Sequence, residues 1–205
     1  MDIYQATISR RSIRRYKNIP IPYDVLESLV NAARLAPTGK NRQLCQHIVI
    51  DDELLLPKIF DNVTLGAEQS LEHMPRAYVI TLINSRLEKE LADISQEKET
   101  GGHIISTFCG AGMAVENIIL VALEQGIGAC AIMAFKAKEI KQILNIPDNY
   151  DIALVLALGY PDESPVVEPF TGSVQSWNDD RGIHHVPKRA MEDIIHRNKF
   201  SQPAG

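Results

Sequence analysis

Cysteine is scarce in this chain of 205 residues: Cys45, Cys109 and Cys130 are odd in number, form no Cys-x-x-Cys pair and sit among apolar neighbours. That pattern argues against a disulfide framework or a thiolate zinc site and predicts three reduced, buried thiols. Basic charge is not in excess either. With 21 lysines and arginines against 26 aspartates and glutamates the formal net charge is -5. A pI near 5.7 disfavours a dedicated nucleic-acid binder, whose domain would carry a basic surplus. No apolar run reads as the roughly 18 to 20 residues of a membrane helix. No basic, then apolar, then small-residue signal opens the sequence, so a cytoplasmic protein without membrane contact is expected. Repeats and low-complexity tracts are missing too. A hydrophobic share of 45% suffices to bury one core, so a single domain over residues 1–205 is predicted, although length alone also allows two small ones.

Against this acidic balance, Arg10-Arg11-Ser12-Ile13-Arg14-Arg15-Tyr16-Lys17 packs five cations into eight residues. Guanidinium groups make planar, bidentate hydrogen bonds to phosphate, and the serine hydroxyl adds a neutral donor, which gives the stretch the chemistry of a phosphate clamp. A solvated basic turn is the alternative, because clustered charges usually face solvent. Residues 2–9 read as a short helix delivering this cluster into a loop. Pro22 suits the first position of a helix on which Val25, Leu26, Leu29, Val30 and Ala33 follow helical spacing until Pro37 stops the run. The loop 37–43 is therefore anchored at a helix end. Residues 46–50, 77–83 and 152–158 are short, β-rich apolar runs. Helical stretches separate them, which suggests an α+β sandwich with helices covering a central sheet.

The segment 104–123 carries Phe108, Met113, Val115, Ile118, Ile119, Leu120, Val121 and Leu123 on nearly every face of a helix. Such a helix is expected to be buried all round. In so small a domain a second subunit is expected to supply part of that cover, a central helix in a monomer being the other reading.

Four of these features, in order, resemble the FMN-dependent nitroreductase family. Its Arg-Arg/His-Ser-x-Arg/Lys-x-Phe/Tyr opening is matched by Arg10, Arg11, Ser12, Arg14 and Tyr16, and its Pro-Ser/Thr-x-x-Asn-x-Gln loop by Pro37, Thr38, Asn41 and Gln43. The helix end, turn and strand from Glu124 to Phe135 resemble its long apolar helix ending in a Leu-Gly-x-Gly/Asp-type turn and a short strand. Val186-Pro187-Lys188-Arg189 resembles its C-terminal phosphate contact. The resemblance implies a mostly antiparallel central sheet covered by helices and an interlocked homodimer with FMN between subunits. It also implies a two-step exchange in which NADH or NADPH reduces the flavin and a small, flat electron acceptor (a nitroaromatic, quinone or activated enone) then oxidises it. Carried over residue by residue, Arg10, Arg11, Ser12, Lys188 and Arg189 hold the phosphate and ribityl end, and Arg14 reaches the pyrimidine edge. Pro37, Thr38, Gly39 and Asn41 line the cleft from the other subunit, while backbone groups of Ile132, Met133 and Ala134 approach N5. The cofactor carries the redox chemistry, so no catalytic side chain is assigned.

The sequence departs from the family at Ala131-Ile132-Met133-Ala134, where relatives have Pro-Ile-Glu-Gly or a tryptophan, and at Leu44-Cys45 in place of Pro-Trp. Gly110 also stands ahead of Ala114 and Asn117 where the family often has an aspartate. A passive flavin-binding or flavin-sequestering protein, or another flavin reaction such as reductive dehalogenation, stays open at this stage. The polar stretch 85–102 reads as a lid. Residues 161–187, with Pro161, Pro165, Pro169, Gly172, Gly182 and Trp177, read as an extended arm. Gly126-x-Gly128-x-x-Ala131 follows a helix and enters a strand, the reverse of the dinucleotide-binding order. His184-His185 point to opposite sides of an extended segment with no ligand set around them, so no metal is expected.

Overall fold

The computed structural model describes residues 2–66, 69–94 and 102–200, the side chains of 91–94 and 102–105 excepted. Its elements in chain order are α1 (Ile3–Ser9), α2 (Tyr23–Arg34), β1 (Cys45–Ile50), α3 (Leu56–Phe60), β2 (Ala77–Asn84), α4 (Ser85–Ile94), α5 (Gly102–Glu124), β3 (Gly128–Ile132), α6 (Ala137–Ile143), β4 (Tyr150–Gly159), β5 (Val166–Pro169), β6 (Trp177–Asn178) and β7 (His184–Lys188). They fall into two compact units, Met1–Asp162 and Glu163–Gly205, each described by itself.

In the larger unit four strands form an antiparallel sheet in the order β1-β2-β4-β3. Strand alternation assigns each residue to one of two apolar layers. Tyr78, Ile80, Leu82, Val155 and Ala157 face α3 and α6, packing on Leu56, Ile59, Phe60 and Ile140. Their neighbours Ala77, Val79, Leu154, Leu156 and Leu158 face α2 and α5, packing on Leu26, Leu29, Ala114 and Ile118. With both faces covered, β2 and β4 read as continuous apolar runs, which is why periodicity gave short strands and no face. The expected α+β sandwich with a mostly antiparallel sheet is the one observed.

Two local expectations need correction. Pro22 is the N-cap of α2, one residue before the helical position assigned to it. Within the single chain, α5 buries Ala111, Ala114, Val115, Ile118, Ile119 and Ala122, whereas Phe108 and Met113 are 49% and 42% exposed. Within α5, Ser106–Glu124 is long and apolar enough to cross a membrane by length and composition, contrary to the sequence reading. The glycines and alanines that interrupt its apolar run by eye raise no charge, and the helix packs its small residues on α2.

The stretch expected as a lid begins as α4, and its remainder, 95–101, lies outside the described residues. In the smaller unit, β5 and β6 flank β7, parallel and antiparallel respectively. The stretch expected to run as an arm thus holds three short strands.

Candidate functional site

Two glycines seat the cationic segment on the edge of the sheet. Gly128 of β3 and Gly159 of β4 are partners in register. A Cβ on Gly128 would lie 2.7 Å from Ile13 Cγ1, and one on Gly159 would lie 2.6 Å from the ring of Tyr16. Only glycine lets these side chains lie flat against the strands. Ile13 and Tyr16 are accordingly buried. Backbone bonds stitch the segment down: Ile13 N–H donates to Ala129 O at 2.9 Å, and Lys17 N–H to Tyr160 O at 2.8 Å. Ser12 forms a parallel bridge with Ala129. The Tyr16 hydroxyl donates to Ile13 O. Because positions 13 and 16 point inward, the neighbouring cations are left half-buried at the rim.

Each rim cation has a distinct environment. Arg10 Nε lies 3.5 Å from Glu116 Oε1 of α5, both partly exposed, a contact worth at most about 1 kcal/mol and easily exchanged for a stronger anion. Arg11 Nη1 donates to Ile8 O at 2.9 Å and to Arg10 O at 2.6 Å. Its Nε is buried with no hydrogen-bond partner among the described residues. Arg14 runs beside Gly66, whose φ of +140° suits glycine and whose added Cβ would lie 3.4 Å from Arg14 Cδ. Arg15 Nη2 lies 2.7 Å from His73 Nε2, and His73 Nδ1 lies 3.2 Å from Asp162 Oδ2.

The continuation of β3 reaches the same rim. Ile132 is buried and Met133 is 70% exposed. Thr64 N–H donates to Ala134 O at 2.9 Å, and Val63 bridges Phe135. The chain that fixes 132–134 leads two residues later to Gly66 and Arg14. Arg10, Arg11, Ser12 and Arg14 are thereby gathered with Ile132, Met133 and Ala134 around β3.

Pro37, Thr38, Gly39 and Asn41 belong to a different wall. Their loop follows α2 and contains a 3-10 turn, Gly39–Asn41. Three non-glycine residues in it take the left-handed conformation: Lys40 (φ 53°), Asn41 (φ 55°) and Gln43 (φ 49°). Such a cluster stores local strain. Gln43 N–H donates to Thr38 Oγ1 at 3.2 Å. Gly39 presses on α5, where an added Cβ would lie 2.4 Å from Ser106 Oγ, and Gly110 leaves room for Thr38. A cleft of about 280 Å³ lies between loop and helix, lined by Thr38, Gly39, Arg42, Ser106 and Gly110. A neighbouring one of about 680 Å³ reaches Cys45 and His47. Burial pushes the Cys45 thiol up and the His47 imidazole down from their ordinary values. Helix α5 links both walls: Gly110 meets the loop and Glu116 meets Arg10, six residues or about 9 Å apart along the axis.

The pattern that defines the nitroreductase family matches residues 8–160, from the cationic segment to the end of β4. The chain belongs to the nitroreductase family. It is 26% identical over 207 aligned residues to an NADPH-dependent oxidoreductase of Staphylococcus aureus, covering 97% of this chain and 74% of that one. A nitroreductase family protein of Clostridium novyi shares its fold with TM-score 0.68 and 26% identity, over 80% of this chain and 87% of that one. An FMN-dependent nitroreductase of Clostridium difficile matches with TM-score 0.63 and 25% identity, over 93% and 96% of the two chains.

Some residues expected in a nitroreductase site lie in the smaller unit. Lys188 ends β7 and its carbonyl accepts from Phe170 N–H at 2.9 Å. Arg189 Nη2 donates to Asp193 O at 3.1 Å. His184 Nδ1 lies 2.7 Å from Asn178 Oδ1, while His185 stacks on Trp177 at 5.0 Å and sits 3.0 Å from Glu168 Oε1. The two histidines thus serve different neighbours of one small sheet. Among the described residues no cluster of His, Cys, Asp or Glu is arranged to hold a metal. The expected trio of buried thiols needs correction: Cys130 is buried, Cys45 half-buried and Cys109 exposed, all unbridged. Cys109 falls on an exposed face of α5.

Sequence reasoning missed Gly159, Gly66, His73 and Asp162. Gly159 was legible only once β3 and β4 are set in register. Gly66 lies in irregular chain and His73 in the short 3-10 turn Leu71–His73, and only tertiary contact reveals their partners.

Proposed function

We propose that this nitroreductase-family chain is an FMN-dependent NAD(P)H oxidoreductase that reduces flat acceptors such as nitroaromatics, quinones or activated enones in two half-reactions at one open face. The observation that carries the reading is the unsatisfied, buried Nε of Arg11 within a rim of cations seated at the sheet edge. A buried guanidinium donor without a partner is costly, and a phosphate oxygen satisfies it. When bound, FMN supplies the hydride-accepting and hydride-donating chemistry.

The chain's residues then bind and orient. Arg10, Arg11 and Ser12 take the phosphate and ribityl end. Arg14, steadied against Gly66, places positive charge at the pyrimidine edge. Ile132, Met133 and Ala134 present backbone groups to the N5 side. The loop of Pro37, Thr38, Gly39 and Asn41 closes the cleft from a second subunit of a homodimer. The outer stripe of α5, with Phe108 and Met113 about half exposed in the single chain, supports that assembly, because large apolar side chains in a row on a helix favour a covering partner. In the cytoplasm the three unbridged cysteines stay reduced.

The test is optical. Purified protein is mixed with FMN, gel-filtered, and treated anaerobically with NADH and with NADPH. Retained flavin absorption that bleaches supports the reading, and parallel double-reciprocal lines with a quinone support the two half-reactions. Retained flavin that refuses to bleach points to a binder without turnover. Loss of flavin on the column overturns the cofactor assignment.

A further inference from the structure

The contacts of Arg15 fix the protonation of His73. A guanidinium only donates hydrogen bonds, so the 2.7 Å contact between Arg15 Nη2 and His73 Nε2 requires an unprotonated Nε2. The ring proton is then on Nδ1, which faces Asp162 Oδ2 at 3.2 Å. The imidazole is held at both nitrogens and largely shielded, its side chain 18% exposed. The same three residues are also joined through the backbone. Tyr16 N–H donates to His73 O at 3.2 Å, and Asp162 N–H donates to Arg15 O at 2.9 Å. Side chains and main chain together tie residues 15–17 to the turn Leu71–His73 and to the chain leaving β4.

We propose that His73 is a positioning residue for the anion-holding segment: as the Nδ1-protonated neutral tautomer it clamps Arg15 against Asp162, and its protonation releases the clamp and weakens phosphate binding at Arg10 and Arg11. Protonation puts an N–H where the lone pair was, so two cationic donors face each other and Arg15 loses this acceptor. The charged groups in contact with the ring among the described residues are Arg15, from the segment, and Asp162, after β4. Glu72, on the same turn, is exposed. The disturbance reaches the rim through the backbone, because the segment is a single extended run stitched at Ile13 to β3 and at Tyr16 to His73. Arg15 holds no place in the phosphate set proposed above, so its role here is structural support of that set.

The inference rests on the FMN reading for its binding readout, and a second readout is independent of flavin. FMN affinity is measured by fluorescence quenching at about pH 8 and about pH 5.5, on either side of the range in which imidazole titrates. The phosphate itself gains a proton near pH 6, so the informative quantity is the difference between wild type and His73→Gln, whose amide oxygen can still accept from Arg15. Wild type should weaken about tenfold more than His73→Gln on acidification, the scale of one charge-assisted contact. Arg15→Met should bind about tenfold more weakly than wild type at pH 8, with the same shallow pH dependence as His73→Gln. Hydrogen exchange of the Tyr16 and Lys17 amides in flavin-free protein should speed up on acidification more in wild type than in His73→Gln. Nitrogen-15 shifts of His73 should report Nδ1–H at pH 8. Parallel pH profiles in the two proteins, or an Nε2–H tautomer, overturn the proposal. If no variant binds FMN at pH 8, the cofactor reading falls, and exchange and tautomer alone decide the clamp.

Discussion

The two walls of the site are built on opposite principles. The cationic wall is an extended strip pressed onto paired glycines and stitched by backbone bonds at Ile13, Tyr16 and Lys17. The other wall is a short loop with three left-handed non-glycine residues, held by turn bonds, by the Gln43 N–H donating to Thr38 Oγ1 and by contact with α5. The first holds its charges in place through main-chain bonds and the packing of Ile13 and Tyr16. The second holds local backbone strain in a turn packed on α5.

The largest break should come from filling the glycine seat. Gly159→Val should destabilise the protein by roughly 3 kcal/mol, because the tyrosine ring and the strand backbone have nowhere to move. Urea unfolding reads the loss directly. The matching change in the loop, Gly39→Ala, should cost under about 1 kcal/mol, since the Ser106 hydroxyl it meets can rotate away. Equal costs would erase the contrast between the walls.

Arg11→Ala should leave unfolding almost unchanged yet weaken FMN binding by about 1.5–3 kcal/mol, the range for a hydrogen bond to a charged group. Fluorescence titration measures it, and an unaltered affinity would remove Arg11 from the phosphate set. A smaller effect of opposite sign belongs to the loop. Lys40→Gly should raise stability by about 0.5–1 kcal/mol through relief of the left-handed backbone, visible as a higher melting temperature.

The subtlest handle is His47, beside the loop's larger cleft. Burial lowers its folded-state pKa, so the unfolded chain binds the proton more readily. Its contribution is complete above the unfolded value of about 6.5 and declines as pH falls through the interval down to the folded value. His47→Phe should flatten the stability profile there, and an unchanged slope would assign the acid sensitivity elsewhere.

Legibility followed the same division. The cationic run, the loop after Pro37 and the three long strands are continuous in sequence, and helical spacing, β-branched runs and proline stops mark them locally. The share of α5 that its own chain covers was not legible, because apolar residues on every face do not say which faces the chain itself packs. Pro22 was misplaced by one position because proline fits both sides of a helix start. Gly128 was read as part of a turn and of a rejected dinucleotide-like pattern, and its use as half of a seat depends on a partner 31 residues away.

The sequence by itself determined the elements, the location of the charge and the membership of residues 8–160 in the nitroreductase family, since these depend on local pattern and order. Tertiary structure alone decided that Gly128 and Gly159 carry Ile13 and Tyr16, that Arg11 keeps an unsatisfied donor, and that Arg15, His73 and Asp162 meet. Those contacts join residues distant in the chain through sheet register and close packing, and neither quantity is written in any local stretch of residues.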